Sequence, residues 1–101
     1  MASAPIRRFI VTGDSMAPTY ANGDLVFALR SDKARVGQVR VLEHPHRPGM
    51  WLVKRVGAIR DDGAMWIESD NDSVTRADSR EFGHLSPAGG YRVIGRIRGR
   101  R

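Results

Sequence analysis

One hundred and one residues have room for a single domain with one modest core. With 41% of them hydrophobic the chain can fold without a metal, and the absence of cysteine excludes thiol catalysis, disulfide staples and cysteine-based zinc sites. The net charge of +6 invites a nucleic-acid reading, but five of the 17 basic residues (Arg92, Arg96, Arg98, Arg100 and Arg101) fall in the last ten positions, which leaves residues 1–91 nearly neutral, with 12 basic and 11 acidic groups; a solvated basic tail at 98–101 and no nucleic-acid partner are expected. No run approaches the roughly 20 apolar residues of a membrane-spanning helix, and residues 1–12 lack the apolar stretch of a secretory signal, so a soluble, cytoplasmic protein with no transmembrane segment is expected.

Apolar residues alternate with polar ones or cluster in short runs bounded by Gly, Pro, Asn or Asp, which is strand periodicity and predicts a mainly β class. The first strand is expected at 8–11. It runs into Gly13-Asp14-Ser15-Met16-Ala17-Pro18-Thr19, where a serine sits at the break of a strand into a turn, with one short helical turn allowed over 15–20 because proline tolerates a helix start. Gly13 can take backbone angles barred to other residues, which lets the chain turn sharply and aim backbone N–H groups at the serine oxygen. Taken alone, a serine after Gly-Asp more often caps its turn than attacks a carbonyl.

Asn22-Gly23 signals the next turn, and strands follow at 25–30 and 38–43, separated by the polar run that holds Lys33, a solvated loop residue. His44 and His46 flank Pro45 in a proline-rich turn. Neither has a recognisable catalytic context, and without a third ligand they are read as turn residues rather than a metal site.

The strand expected at 50–59 carries the partner a serine needs. A hydroxyl is a poor nucleophile until a base removes its proton. The chain has fifteen arginines and two lysines, yet it places Lys54 inside this apolar strand, where arginine could not act because it never deprotonates in a protein. Alternation puts Met50, Leu52, Lys54 and Val56 on one face and Trp51, Val53 and Arg55 on the other. Apolar neighbours lower a lysine pKa, which suits a general base; the alternative is that Lys54 snorkels to the surface at the sheet edge.

Asp61-Asp62-Gly63 predicts a hairpin into a strand at 64–68. Residues 69–90, poor in apolar side chains, read as a long polar loop, and a last strand is expected at 92–98.

These residues resemble the signal-peptidase-like serine proteases, the S26 peptidases. Their nucleophile motif Gly-x-Ser-Met-x-Pro-Thr is matched at 13–19, their Lys-Arg pair by Lys54-Arg55-Val56, and their third block by Ser69-Asp70-Asn71 followed by Asp78-Ser79-Arg80-Glu81-Phe82-Gly83. The resemblance spans 11–97 and implies one peptidase domain over 1–101 with a compact signal-peptidase/LexA-like β-fold and a Ser15/Lys54 dyad. It also implies a structural ion pair Asp78/Arg80, a substrate cleft lined by Met16 and Pro18, and an oxyanion hole built from backbone donors at Ser15 and Gly13, with Thr12 as an added candidate. Three departures stand out, and one is Gly13 itself, at a position where some signal peptidases have a hydroxyl that assists the oxyanion hole. Ser69 occupies a position where the family usually has Gly, and one extra residue lies between Asn71 and Asp78, which displaces the hydroxyl that orients the lysine and leaves Thr75 or Ser73 to replace it.

Within the family the chain is most similar to the maturation proteases of nickel-type superoxide dismutase, on the short chain and on His44-Pro45-His46-Arg47-Pro48 leading into the lysine strand. That implies an endopeptidase that needs no cofactor and binds a precursor protein as an extended peptide to remove its N-terminal leader. Two other functions compete. A LexA-like self-cleaving domain shares Gly-x-Ser-Met and a lysine, but the only Ala-Gly, Ala88-Gly89, lies downstream of the serine, and no separate helical domain is expected ahead of Gly13. A basic β-barrel binding nucleic acid would use Trp51, Trp66 and Tyr91 for stacking, though scattered aromatics are more often core.

Overall fold

The computed structural model describes residues 6–71, 73 and 77–99. Six strands make one antiparallel sheet: β1 (Ile6–Ile10), β2 (Leu25–Arg30), β3 (Val39–Glu43), β4 (Trp51–Ile59), β5 (Met65–Glu68) and β6 (Tyr91–Ile97), in the order β1-β2-β6-β3-β4-β5. Every expected strand is present, with ends displaced by at most two residues. The hairpin at 61–63 closes β4 on β5, with Arg60 N–H donating to Ala64 O and Gly63 N–H to Arg60 O; Gly63 sits at φ +87°, in the left-handed region that favours glycine.

Two apolar clusters hold the sheet. Val11, Val26, Ala28, Val41 and Tyr91 form one, with Phe9, Trp51 and Val53 packed against them. Leu42, Leu52, Val56, Met65 and Ile67 form the other. Strand β3 is an interior strand that gives Val41 to the first and Leu42 to the second, which accounts for its near-continuous burial. Trp51 and Tyr91 spend their ring faces on Phe9, on each other and on the Arg7 guanidinium, as core aromatics rather than an open stacking surface.

Two local expectations are corrected. Residues 15–20 form hydrogen-bonded turns instead of a helical turn, with a cis Ala17–Pro18 peptide. The expected loop over 69–90 holds the one helix among the described residues, α1 (Ser79–Phe82), because Asp78 caps it by accepting from Arg80 N–H and the Ser79 hydroxyl, buried, accepts from Ile67 N–H. Arg92 and Arg96 lie on β6, within the strand expected at 92–98, and Arg96 donates to Thr19 O and stacks on Tyr20. Arg100 and Arg101 lie outside the described residues. No helix among the described residues is long and apolar enough to cross a membrane.

Candidate active site

The two residues singled out in the sequence line one cleft of about 430 Å³. One wall is the end of β1 and the turn that follows it, residues 10–16, and the other is Met50 with the first half of β4, residues 51–54; Ala77 also lines the cleft. Consecutive β4 residues line it, including Leu52 and Lys54 from one face and Trp51 and Val53 from the other. It is therefore the edge of β4, not a face, that opens on the cleft. The pairing explains why: β3 covers residues 51–55 on one side, whereas β5 begins to pair only at Arg55 opposite Glu68. Residues 51–54 thus keep a free backbone edge among the described residues.

Ser15 is half-buried in the turn. The turn is closed without its hydroxyl: Ala17 N–H donates to Asp14 O, Tyr20 N–H to Met16 O, and Gly13 N–H to Asn22 Oδ1 at 2.8 Å. Gly13 adopts φ +81°, as a sharp turn requires. Its N–H is spent on Asn22 and is not free to stabilise an oxyanion, which leaves the Ser15 N–H and the exposed Thr12 of the donor candidates read from the sequence. Met16 lines the cleft from beneath, at 1% exposure. Pro18 does not line it; the reversal between Met16 and Tyr20 carries it outward, where it is exposed.

Lys54 is 2% exposed, between Leu52 and Val56 on the buried face of β4, so it does not snorkel. Burial lowers its pKa from the usual lysine value; Asp78 opposes the shift and Arg80 reinforces it. Those two residues pair with each other, Arg80 Nη2 to Asp78 Oδ2 at 3.0 Å, with Asp78 buried and Arg80 exposed. Pairing blunts the pull of the carboxylate on the ammonium, so desolvation dominates.

The residue that touches Lys54 is one the sequence reading counted as a departure. Lys54 Nζ donates to Ser69 Oγ at 2.9 Å in a buried hydrogen bond. Of the replacements expected, Ser73 gives its hydroxyl to Asn71 Oδ1 at 2.7 Å, and Thr75 lies outside the described residues. The signal that could have found Ser69 is distance along a hairpin: β4 and β5 pair Arg55 with Glu68, so the residues beside them, Lys54 and Ser69, must be neighbours.

Ser69 opens a three-residue clip. Asp70 accepts from Arg55 through two bonds, Nε to Oδ1 and Nη2 to Oδ2, both 2.8 Å, and from Thr19 Oγ1 at 2.7 Å. Asn71 donates from its N–H to Ser15 O at 2.8 Å and from Nδ2 to Asp14 O at 3.1 Å. One side of the clip therefore grips the lysine strand, and the other grips the serine turn. The histidines stand apart, His44 and His46 packed on Phe82, and no group of three metal-ligating side chains occurs among the described residues.

A free strand edge beside a turn-borne serine is an arrangement that suits a peptidase, and the class is given by the family match. The family described as Peptidase S24-like matches residues 5–97, and the chain belongs to that family, in the superfamily that holds LexA and the signal peptidases. The resemblance read from the motifs thus holds for the superfamily, with S24-like rather than S26 as the matching family. Neither a curated protein nor a solved structure matches the chain.

Proposed function

We propose that this protein is a serine endopeptidase that works through a Ser15/Lys54 dyad and cleaves an extended segment of a separate precursor protein. The observation that carries the proposal is a lysine buried to 2% exposure in the cleft that also holds Ser15. Neutral Lys54 Nζ takes the Ser15 hydroxyl proton as Oγ bonds to the carbonyl carbon and the C=O π pair moves onto oxygen. Collapse of that intermediate breaks the C–N bond, and Nζ returns the proton to the leaving amine. Water, deprotonated by the same lysine, then releases the acyl group from Ser15. The developing oxyanion is held by the Ser15 N–H, with Thr12 as a second donor. The peptide lies along the free edge at residues 51–54 as an added strand.

Cleavage in trans is favoured over self-cleavage by the position of Ala88-Gly89. Both residues are exposed; Gly89 N–H is tied to Asp32 Oδ1 and Ala88 N–H to Ser86 Oγ, and neither residue lines the serine cleft. The nickel-type superoxide dismutase precursor is the proposed substrate, on the motif resemblance, with a soluble, cytoplasmic setting and a single domain over 1–101 as parts of the same reading. Incubating that precursor with wild type, Ser15→Ala and Lys54→Ala and weighing the products by mass spectrometry tests it. Leader removal by wild type alone supports dyad and substrate together; no cleavage withdraws the substrate, and cleavage that survives both substitutions overturns the mechanism.

A further inference from the structure

We infer that Ser69 is the positioning residue of the general base: its hydroxyl fixes Lys54 Nζ in the cleft. This rests on the Ser15/Lys54 reading and goes beyond it by naming the group that orients the lysine.

Among the described residues the geometry is specific to one hydroxyl. A lysine side chain has four rotatable bonds, and an ammonium on an apolar strand face is pulled toward water unless a fixed partner holds it. Ser69 Oγ supplies that partner at 2.9 Å and is itself 6% exposed, so it does not trade Lys54 for solvent. Ser69 is immobilised in turn, because Asp70 and Asn71, which follow it, are anchored to Arg55, Thr19 and the backbone of Asp14 and Ser15. The same clip therefore sets the distance between base and nucleophile from both ends. A glycine at this position, as in the proteases it resembles, has no side chain to contribute.

Serine also matches the chemistry. Its oxygen accepts from the lysine N–H in either protonation state, and its own proton can turn toward the lone pair of the neutral amine. It adds no charge, so the electrostatic surroundings of Nζ stay as burial and the Asp78/Arg80 pair set them. Because an ammonium donates a stronger hydrogen bond than an amine, loss of the Ser69 acceptor disfavours the charged form. Removing the hydroxyl should thus move the Lys54 titration to lower pH while leaving the base loosely held.

The chain contains only Lys33 and Lys54, so lysine labelled with carbon-13 at Cε gives two signals whose titration can be followed by NMR without any substrate. Lys33→Arg assigns them. In Ser69→Ala and Ser69→Gly the Lys54 midpoint is expected to move to lower pH, with the Lys33 signal as internal control. With a cleavable precursor peptide, kcat should fall about 10- to 100-fold, part of the 10²–10⁴ typical of a positioned base, with KM within about threefold and the acid limb of the pH profile shifted to lower pH. Ser69→Thr keeps the hydroxyl and restores both readouts. Ser69→Cys fills the same space with a weak partner and behaves as Ala. An unmoved Lys54 midpoint in Ser69→Ala, or a Cys variant as active as wild type, overturns the role of Ser69 while the dyad stands; cleavage by Lys54→Ala overturns the dyad instead.

Discussion

Arg55 and Asp70 meet fork to fork, Nε on Oδ1 and Nη2 on Oδ2, at 2.8 Å in both bonds. Arg55 follows the lysine and Asp70 follows the serine that holds it, so this pair locks β4 to the chain that leaves β5. Asp70 also takes the Thr19 hydroxyl, from the far end of the nucleophile motif. Removing the carboxylate loosens both halves of the cleft at once. Asp70→Ala is expected to lower stability by about 1–2 kcal/mol, below the full worth of a charge-assisted pair because Arg55 is a third exposed, and to reduce cleavage further than that loss explains. Urea unfolding and kcat on the same preparation measure the two effects.

The same carboxylate predicts an acid response. The Arg55 and Thr19 hydrogen bonds hold the Asp70 carboxyl below the ordinary carboxylate pKa, against the opposing effect of burial. In the window between the folded value and the unfolded value of about 3.9 the unfolded chain binds more protons, so stability rises with pH. The contribution of Asp70 is complete above about pH 3.9 and is lost as pH falls through the depressed folded value. Asp70→Asn, which keeps the shape without the titration, should show a shallower loss of stability below pH 4 in acid unfolding followed by circular dichroism.

Lys54 works in the opposite sense. A buried lysine whose pKa is lowered by desolvation makes the folded protein bind fewer protons than the unfolded chain between the depressed value and about 10.4, so wild-type stability should climb with pH across that window. Lys54→Met replaces the amine with an apolar chain of similar length. At neutral pH it should raise stability by about 1–3 kcal/mol and abolish cleavage by at least about 10³-fold, with the stability gain shrinking as pH approaches 10.4. Lys54→Arg should be equally inactive, because a guanidinium does not deprotonate. A Lys54→Met variant less stable than wild type at every pH would contradict a costly buried amine.

The legible parts were those that depend on local pattern. Alternation in residues 50–59 placed Lys54 on the buried face with Leu52 and Val56, and turn signals at 22–23 and 61–63 set the strand ends. Nearest-neighbour chemistry between distant segments was not legible. Ser69 looked like a fault in the third block because its value depends on strand register, which carries it to Lys54, and Gly13 looked like an oxyanion donor because Asn22, nine residues on, takes its N–H only in three dimensions. Helix α1 was hidden by its shortness: four residues show no periodicity, and only the Asp78 cap and the buried Ser79 hydroxyl make it.

Gly99 tests how the end of the chain supports the serine turn. It donates to buried Asp24 at 2.9 Å, and Asp24 also accepts from Ala21 N–H at the end of that turn. A Cβ on Gly99 would stand 2.4 Å from Gly23 O, a backbone atom that cannot swing aside. Gly99→Ala should cost about 1–3 kcal/mol of stability as the 22–23 turn is pushed away. Because Asn22 holds Gly13, cleavage should weaken with it, which a thermal melt and a rate assay on the same preparation measure.

A free edge on β4 makes a prediction about the substrate rather than the enzyme. Backbone groups on an added strand point alternately toward and away from their partner, so only every second substrate amide faces residues 51–54. A series of precursor peptides, each N-methylated at one amide around the scissile bond, should therefore lose activity with a period of two. Each methyl that blocks a bond to β4 should lower kcat/KM by about fivefold to tenfold, the worth of one net backbone hydrogen bond near 1 kcal/mol, plus whatever the methyl clashes with. Methyls on the intervening amides should be near neutral unless they meet the wall at residues 10–16, whose contribution is separated by repeating the series on Met16→Ala. Uniform losses along the peptide, or none, would show that side-chain pockets alone seat the substrate and that the edge of β4 is not its docking strand.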